Sequence, residues 1–151
     1  MGWLVYTNLC KSRLGETPTL LMLLLFCMLL LMGWGYDHVF TGRATMLHLG
    51  AFTATIMTAN VFFIIMPNQR IVVRDLKSGR KPNPKYGKIA KLRSTHNNYL
   101  TLPVLLMMVS QHYPFLFSHP QSWLIVALII ITGALVRHFL NCVDIGGELN
   151  R

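Results

Sequence analysis

The sequence predicts an all-α integral membrane protein, with four transmembrane helices in an antiparallel bundle and both termini cytoplasmic. Three observations carry that prediction. Charged residues make up only 13% of the 151 residues and hydrophobic residues 53%, whereas about one quarter of an ordinary soluble domain is charged. Three uncharged intervals, Thr17–Tyr36, Ala44–Gln69 and Ser94–Val136, each reach the roughly 20 residues that a helix needs to cross about 30 Å of hydrocarbon. Nine of the 14 basic residues fall between Arg70 and Arg93, an asymmetry that marks a cytoplasmic segment.

The elements follow in chain order. The first span is placed at residues 18–36. Lys11 and Arg13 precede it as they would a signal peptide, but no small-residue cleavage pattern follows, so it is expected to remain as an anchor. Phe26 before Cys27 argues against a lipoprotein site. The second span, 44–66, ends at Pro67. Residues 67–96 read as a basic cytoplasmic loop. The last interval is long enough for two crossings, 97–117 and 121–141, separated by the turn-forming Ser118, His119, Pro120 and Gln121. With four spans, Lys11, Arg13, Arg137 and Arg151 join the basic loop on one side, and only Arg43 is left on the other. The whole of 1–151 reads as one membrane domain.

Charge and cysteine usage exclude several functions. The net charge of +9 invites nucleic acid, but its concentration in one loop assigns it to topology, with anionic headgroups as a further contact. Cys10, Cys27 and Cys142 have none of the spacings of zinc, redox or haem-attachment motifs, and no C-x-x-C-H is present, so a covalent c-type haem is excluded on these residues and no metal site is expected.

Histidine and asparagine are costly inside a membrane unless paired, hydrated or functional. Counting at 1.5 Å per residue puts His48 and His112 at one outer level, His96 and His138 at an inner level, and His38 and His119 in outer loops. His48 shares a helical face with Thr55 and Ala59, and His112 one with Leu105, Thr101 and Asn98. Two histidines on neighbouring helices at one level meet the requirement for axial ligation of a b-type haem. Interfacial hydrogen bonding to water or backbone beside Trp34 and Tyr113 is the plainer reading of both, and a proton or substrate role is a third. Ser94 or Thr95 can cap the third span, Asn97 and Asn98 can satisfy its first turn, and Pro103 leaves the Tyr99 carbonyl without its usual donor. His96, Asn60, Asn68 and Gln69 are not explained by starting or bending a helix. Asn60, mid-span, is expected either to bond across to another helix or to serve a site.

The strings GRATMLHLGAFTATIMTANVFFIIMPNQR (42–70), RSTHNNYLTLPVL (93–105) and SQHYP (110–114) resemble the membrane domain of the bacterial membrane-bound urate oxidase (urate hydroxylase) family. GWLVY (2–6) and LCKS (9–12) are similar to the stretch preceding the corresponding helix there. The resemblance covers most of residues 2–140. It implies a multi-pass enzyme of the bacterial inner membrane that acts in purine catabolism, oxidises urate to 5-hydroxyisourate and passes the electrons to cytochrome c. It implies catalytic roles among His48, Asn60, His96, Asn97 and Asn98, and substrate contacts from Asn68, Gln69 and Arg93, with Arg43 or Arg70 as other sources of counter-charge. His48 and His112 remain the residues for a b-type haem. Members of that family carry further helices upstream and a C-terminal c-type cytochrome, so the c-type haem and the missing helices are expected on a partner chain or segment. The alternative function is a non-catalytic or haem b-holding membrane subunit in electron transfer or assembly.

Overall fold

A computed structural model describes residues 2–12, 17–119 and 121–149, and every regular element among them is helical. Arg13, Pro120 and Arg151, which enter the expected topology, lie outside the described residues. The elements are α1 (Gly2–Lys11), α2 (Pro18–Val39), α3 (Gly42–Asn60), a π-helical turn (Val61–Ile65), α4 (Met66–Lys77), α5 (Pro84–Val109), a 3₁₀ turn (Ser110–His112), α6 (Pro114–Phe117) and α7 (Ser122–Leu149).

Three helices are long and apolar enough to cross a membrane: Leu20–Val39, the run Gly42–Lys77, and Trp123–Val143. Only 22%, 33% and 17% of their most apolar windows are buried within the protein. The remainder faces outward, as in the exposed stripe Leu128, Ile131, Leu135 and Phe139 of α7, which repeats at helical spacing and needs lipid as its solvent. The third expected span, 97–117, is not one of the three. Its helix, α5, begins at Pro84 with Lys85, Lys88, Lys91 and Arg93 in its first half, and the helical path breaks at Tyr113, whose backbone is extended (φ −121°, ψ 90°).

The segment 67–96 is correspondingly not a loop but two helices joined at residues 78–83. Hydropathy hid this, because charged residues form helices well when one face is left to water. Both helix ends carry local signals. Gly79 adopts φ +69°, the left-handed conformation that ends a helix without a Cβ penalty. Arg80 N–H then donates to Asp75 O at 2.9 Å, closing the last turn of α4. At the start of α5, Asn83 Oδ1 accepts from Lys85 N–H at 3.0 Å, and Pro84 occupies the first helical position, where its missing N–H costs nothing. Ser94 and Thr95 therefore lie inside a helix and cap nothing.

The π turn has an equally local cause. Pro67 lacks the N–H that would continue the ladder, and one wide turn, with Met66 N–H reaching Val61 O, shifts the register ahead of it. Asn68 Nδ2 donates to Ile64 O at 2.6 Å, so its side chain bonds a carbonyl at the same turn.

The chain divides into two compact units, one of Met1–Met22 with Ala54–Asn98 and the other of Leu23–Thr53 with Tyr99–Arg151. The second has an apolar core that includes Leu29, Met46, Leu49, Leu100, Met107, Val126 and Ile130. Two of its buried hydroxyls bond carbonyls one turn back, Thr53 Oγ1 to Leu49 O at 2.8 Å and Ser110 Oγ to Met107 O at 2.6 Å, and Thr45 Oγ1 reaches Tyr36 O of α2 at 3.4 Å. Here α7 meets α5 closely at Gly133, where an added Cβ would lie 2.7 Å from Cδ of Pro103. The first unit buries Tyr6, Leu21, Ile56 and Ile65, and also Thr7, Asn60, Arg93 and His96.

Close approach at Gly133 predicts that Gly133→Val lowers stability by about 1–3 kcal/mol through overpacking against the rigid proline ring. Gly35→Ala, with nothing within 4 Å of the new methyl, leaves stability unchanged or raises it. Thermal unfolding of the two detergent-solubilised variants measures the difference.

Candidate functional site

The polar core of the first unit is assembled from three helices. On α1, Trp3, Tyr6, Thr7 and Cys10 recur at helical spacing and share a face. Asn60 ends α3. On α5, Arg93, His96 and Asn97 stand three and four residues apart and so project together. Arg93 is 3% exposed, His96 1% and Asn60 not at all.

Donor and acceptor types fix how these side chains are oriented. Indole and guanidinium can only donate, so Asn60 must turn its oxygen toward both: Trp3 Nε1 and Arg93 Nη1 each lie 3.2 Å from Asn60 Oδ1. Its amide nitrogen then donates to Asn97 Oδ1 at 3.0 Å, and Asn97 Nδ2 donates to Met57 O at 2.9 Å. The guanidinium carbon sits 4.6 Å from the centre of the Tyr6 ring, a cation–π contact. The Tyr6 hydroxyl is 2.6 Å from His96 Nδ1. No carboxylate among the described residues pairs with Arg93.

Burial governs the titration of this cluster. It pushes the Tyr6 hydroxyl far above the usual phenol range, with Cys10 adding to the effect and the Arg93 charge opposing it. It likewise raises the Cys10 thiol against the pull of Arg93. His96 is lowered to about 4, first by burial and then by repulsion from Arg93. At neutral pH the tyrosine and histidine are therefore both uncharged, and the guanidinium is the one fixed charge beside them. His96 Nε2 and Thr7 Oγ1 are buried without a hydrogen-bond partner.

Of the residues singled out in the sequence, the fold brings together Asn60, Arg93, His96 and Asn97. Asn98 and Gln69 instead line an open cleft of about 520 Å³ with Lys91, Ser94 and Thr95. Asn68 is engaged at the π turn. His48 and His112 belong to the other unit and both are exposed, His48 with its ring 4.6 Å from that of Phe40. A haem held by those two imidazoles would therefore lie on that unit's outer surface. No group of three His, Cys, Asp or Glu among the described residues is placed to hold a metal ion. Trp3, Tyr6 and Cys10 were not singled out as site residues. Their 3–4 periodicity was the available signal, masked by the shortness of α1.

A family model described as urate oxidase N-terminal matches residues 1–149. No curated protein and no solved structure matches the chain.

The depressed His96 pKa predicts an acid-labile fold. The unfolded chain binds the histidine proton below about 6.5, whereas the folded one resists it down to about 4. Stability is then constant above that window, falls as pH drops through it by at most about 3 kcal/mol, and levels off below. Unfolding temperatures measured from pH 7 to pH 4 should show this slope, and His96→Gln should flatten it.

Proposed function

The chain belongs to the urate oxidase N-terminal family, and on that premise we propose that it is the membrane part of an enzyme that oxidises urate to 5-hydroxyisourate. The reaction adds the oxygen of one water to the purine ring and releases two protons and two electrons. A c-type cytochrome takes the electrons one at a time; its haem-attachment motif is not within these 151 residues. A partner chain or segment supplies the cytochrome, and further helices complete the membrane domain.

The observation that carries this reading is the buried cluster of Arg93, Tyr6, His96 and Asn60 inside the matched region. Urate is an anion at neutral pH, and a buried guanidinium with no carboxylate beside it among the described residues is electrostatically suited to one. A structural salt bridge would have brought its own counter-ion. The neutral histidine supplies a group able to hold or pass a proton without adding charge. Asn97 orients Asn60, which holds Arg93 in place. A second reading, a non-catalytic subunit, is favoured by how completely the Asn60–Asn97 chain is satisfied, since it ends on the Met57 carbonyl and leaves no amide group pointing at a ligand.

The same proposal places the chain in the bacterial inner membrane with four crossings, the fourth made by the apolar half of α5 with α6. The basic hairpin of α4 and α5 and both termini are then cytoplasmic, in keeping with the positive-inside rule.

Two measurements test these statements. Membranes carrying the chain, alone and complemented with the upstream helices and cytochrome of a family member, should reduce ferric cytochrome c on addition of urate. Absence of urate-dependent reduction in both would remove the oxidase reading and leave the non-catalytic one. For topology, single cysteines at Ser78 and at the native Cys142, each in an otherwise cysteine-free background, should react with an impermeant thiol reagent from the cytoplasmic side only. Labelling of the two from opposite sides would contradict four crossings.

A further inference from the structure

His96 Nε2 is buried without a partner. Arg93 is buried without a carboxylate among the described residues. One turn apart on α5, both side chains meet Tyr6, Arg93 over its ring at 4.6 Å and His96 at its hydroxyl at 2.6 Å.

The direction of the Tyr6–His96 hydrogen bond sets which imidazole nitrogen carries the proton. With the phenol, the better donor, giving its proton to the imidazole nitrogen, the better acceptor, Tyr6 O–H donates to Nδ1. The ring proton of the neutral histidine must then sit on Nε2. That makes the orphan atom an N–H donor, and a buried donor left unsatisfied is destabilising. Beside it, the guanidinium has five N–H groups, of which one is used on Asn60. A water molecule would satisfy Nε2–H but leave the Arg93 charge uncompensated. An anionic oxygen satisfies both.

We infer that Arg93 and the Nε2–H of His96 bind one anionic oxygen of the ligand, and that Tyr6 is the positioning residue that holds the ring proton on Nε2. The ligand class is a planar heterocyclic anion with its charge spread onto an exocyclic oxygen. Its identification as urate rests on the function proposed above. No covalent or redox step is assigned to the three residues. Asn60 and Trp3 stand behind the site, holding the guanidinium against the tyrosine ring.

The experiment is equilibrium dialysis of radiolabelled urate against the detergent-solubilised chain and its variants, each first checked for a cooperative unfolding transition. His96→Leu and Arg93→Gln should weaken binding on the order of 10- to 100-fold, the range expected for losing a hydrogen bond that involves a charged partner. His96→Gln places an amide N–H near the position of Nε2 and should restore most of the affinity that His96→Leu loses, which a merely space-filling histidine would not explain. Tyr6→Phe should weaken binding less. In that variant the imidazole ¹⁵N spectrum, assigned by difference with His96→Gln, should change from a single Nε2–H tautomer to a mixture. Wild-type protein that binds urate while His96→Leu and Arg93→Gln bind it equally well overturns the assignment and leaves the urate reading standing. So does a His96 resonance showing Nδ1–H in the wild type. Wild-type protein that binds no urate, either alone or together with the upstream helices of a family member, overturns the assignment and the urate reading together.

Discussion

The burial of a single guanidinium organises the first unit. Arg93 sits in a helix that has a charged face turned to solvent, yet its own side chain points the other way, 3% exposed. Moving a cation out of water is expensive, several kcal/mol even after relaxation, and the described residues offset it without a carboxylate. It uses the oxygen of Asn60, the π face of Tyr6 and the geometry that Trp3 and Asn97 impose on Asn60. Each of these side chains is held by another, so the charge on Arg93 sets the arrangement of three helices.

This solution has a cost in permanence that a salt bridge would not. An amide dipole and a ring quadrupole attract a cation less strongly than a carboxylate does, and they leave its net charge in place. The same unit keeps its tyrosine and histidine neutral, so nothing else cancels it. The second unit shows the contrast. There the buried hydroxyls of Thr53 and Ser110 bond the carbonyls of Leu49 and Met107, one turn back, and a second tyrosine–histidine contact, Tyr99 with His138 at 2.9 Å, is exposed. That pair joins α5 to α7 at the unit's surface, whereas the polar side chains of the first unit bond one another across helices in its buried core.

The sequence made some of this legible and concealed the rest for physical reasons. Helicity and three apolar crossings could be read because lipid demands long uncharged runs, and Asn60 and His96 stood out because such runs rarely tolerate them. The helical character of 67–96 was concealed because span-finding weighs hydropathy, and Lys85, Lys88 and Lys91 count against a span while favouring a helix; the Asn83–Pro84 pair was the overlooked start signal. Depth counting put His48 and His112 at one level, yet level says nothing about direction, and both are exposed. Tyr6 was invisible as a partner of His96 because 90 residues separate them, and no pattern within α1 announces what it will touch. Asn68, conspicuous beside Pro67, is occupied with the turn that the proline disturbs.

The capped ends at Gly79 and Asn83 change what the cluster of basic residues does. On a slack connector, eight cations from Arg70 to Lys91 would spread apart and blur into an average. Six of them are fixed on α4 and α5, with Arg80 and Lys81 in the short connection between, and together they form a standing electric field anchored to the unit that contains Arg93. A field of that kind gathers small anions from several ångströms away and raises their encounter rate, and dissolved salt, with a screening length of about 8 Å at physiological strength, erodes it. The basic residues whose number stands out in the sequence thus carry, through helix geometry, a direction as well as a sum of charge.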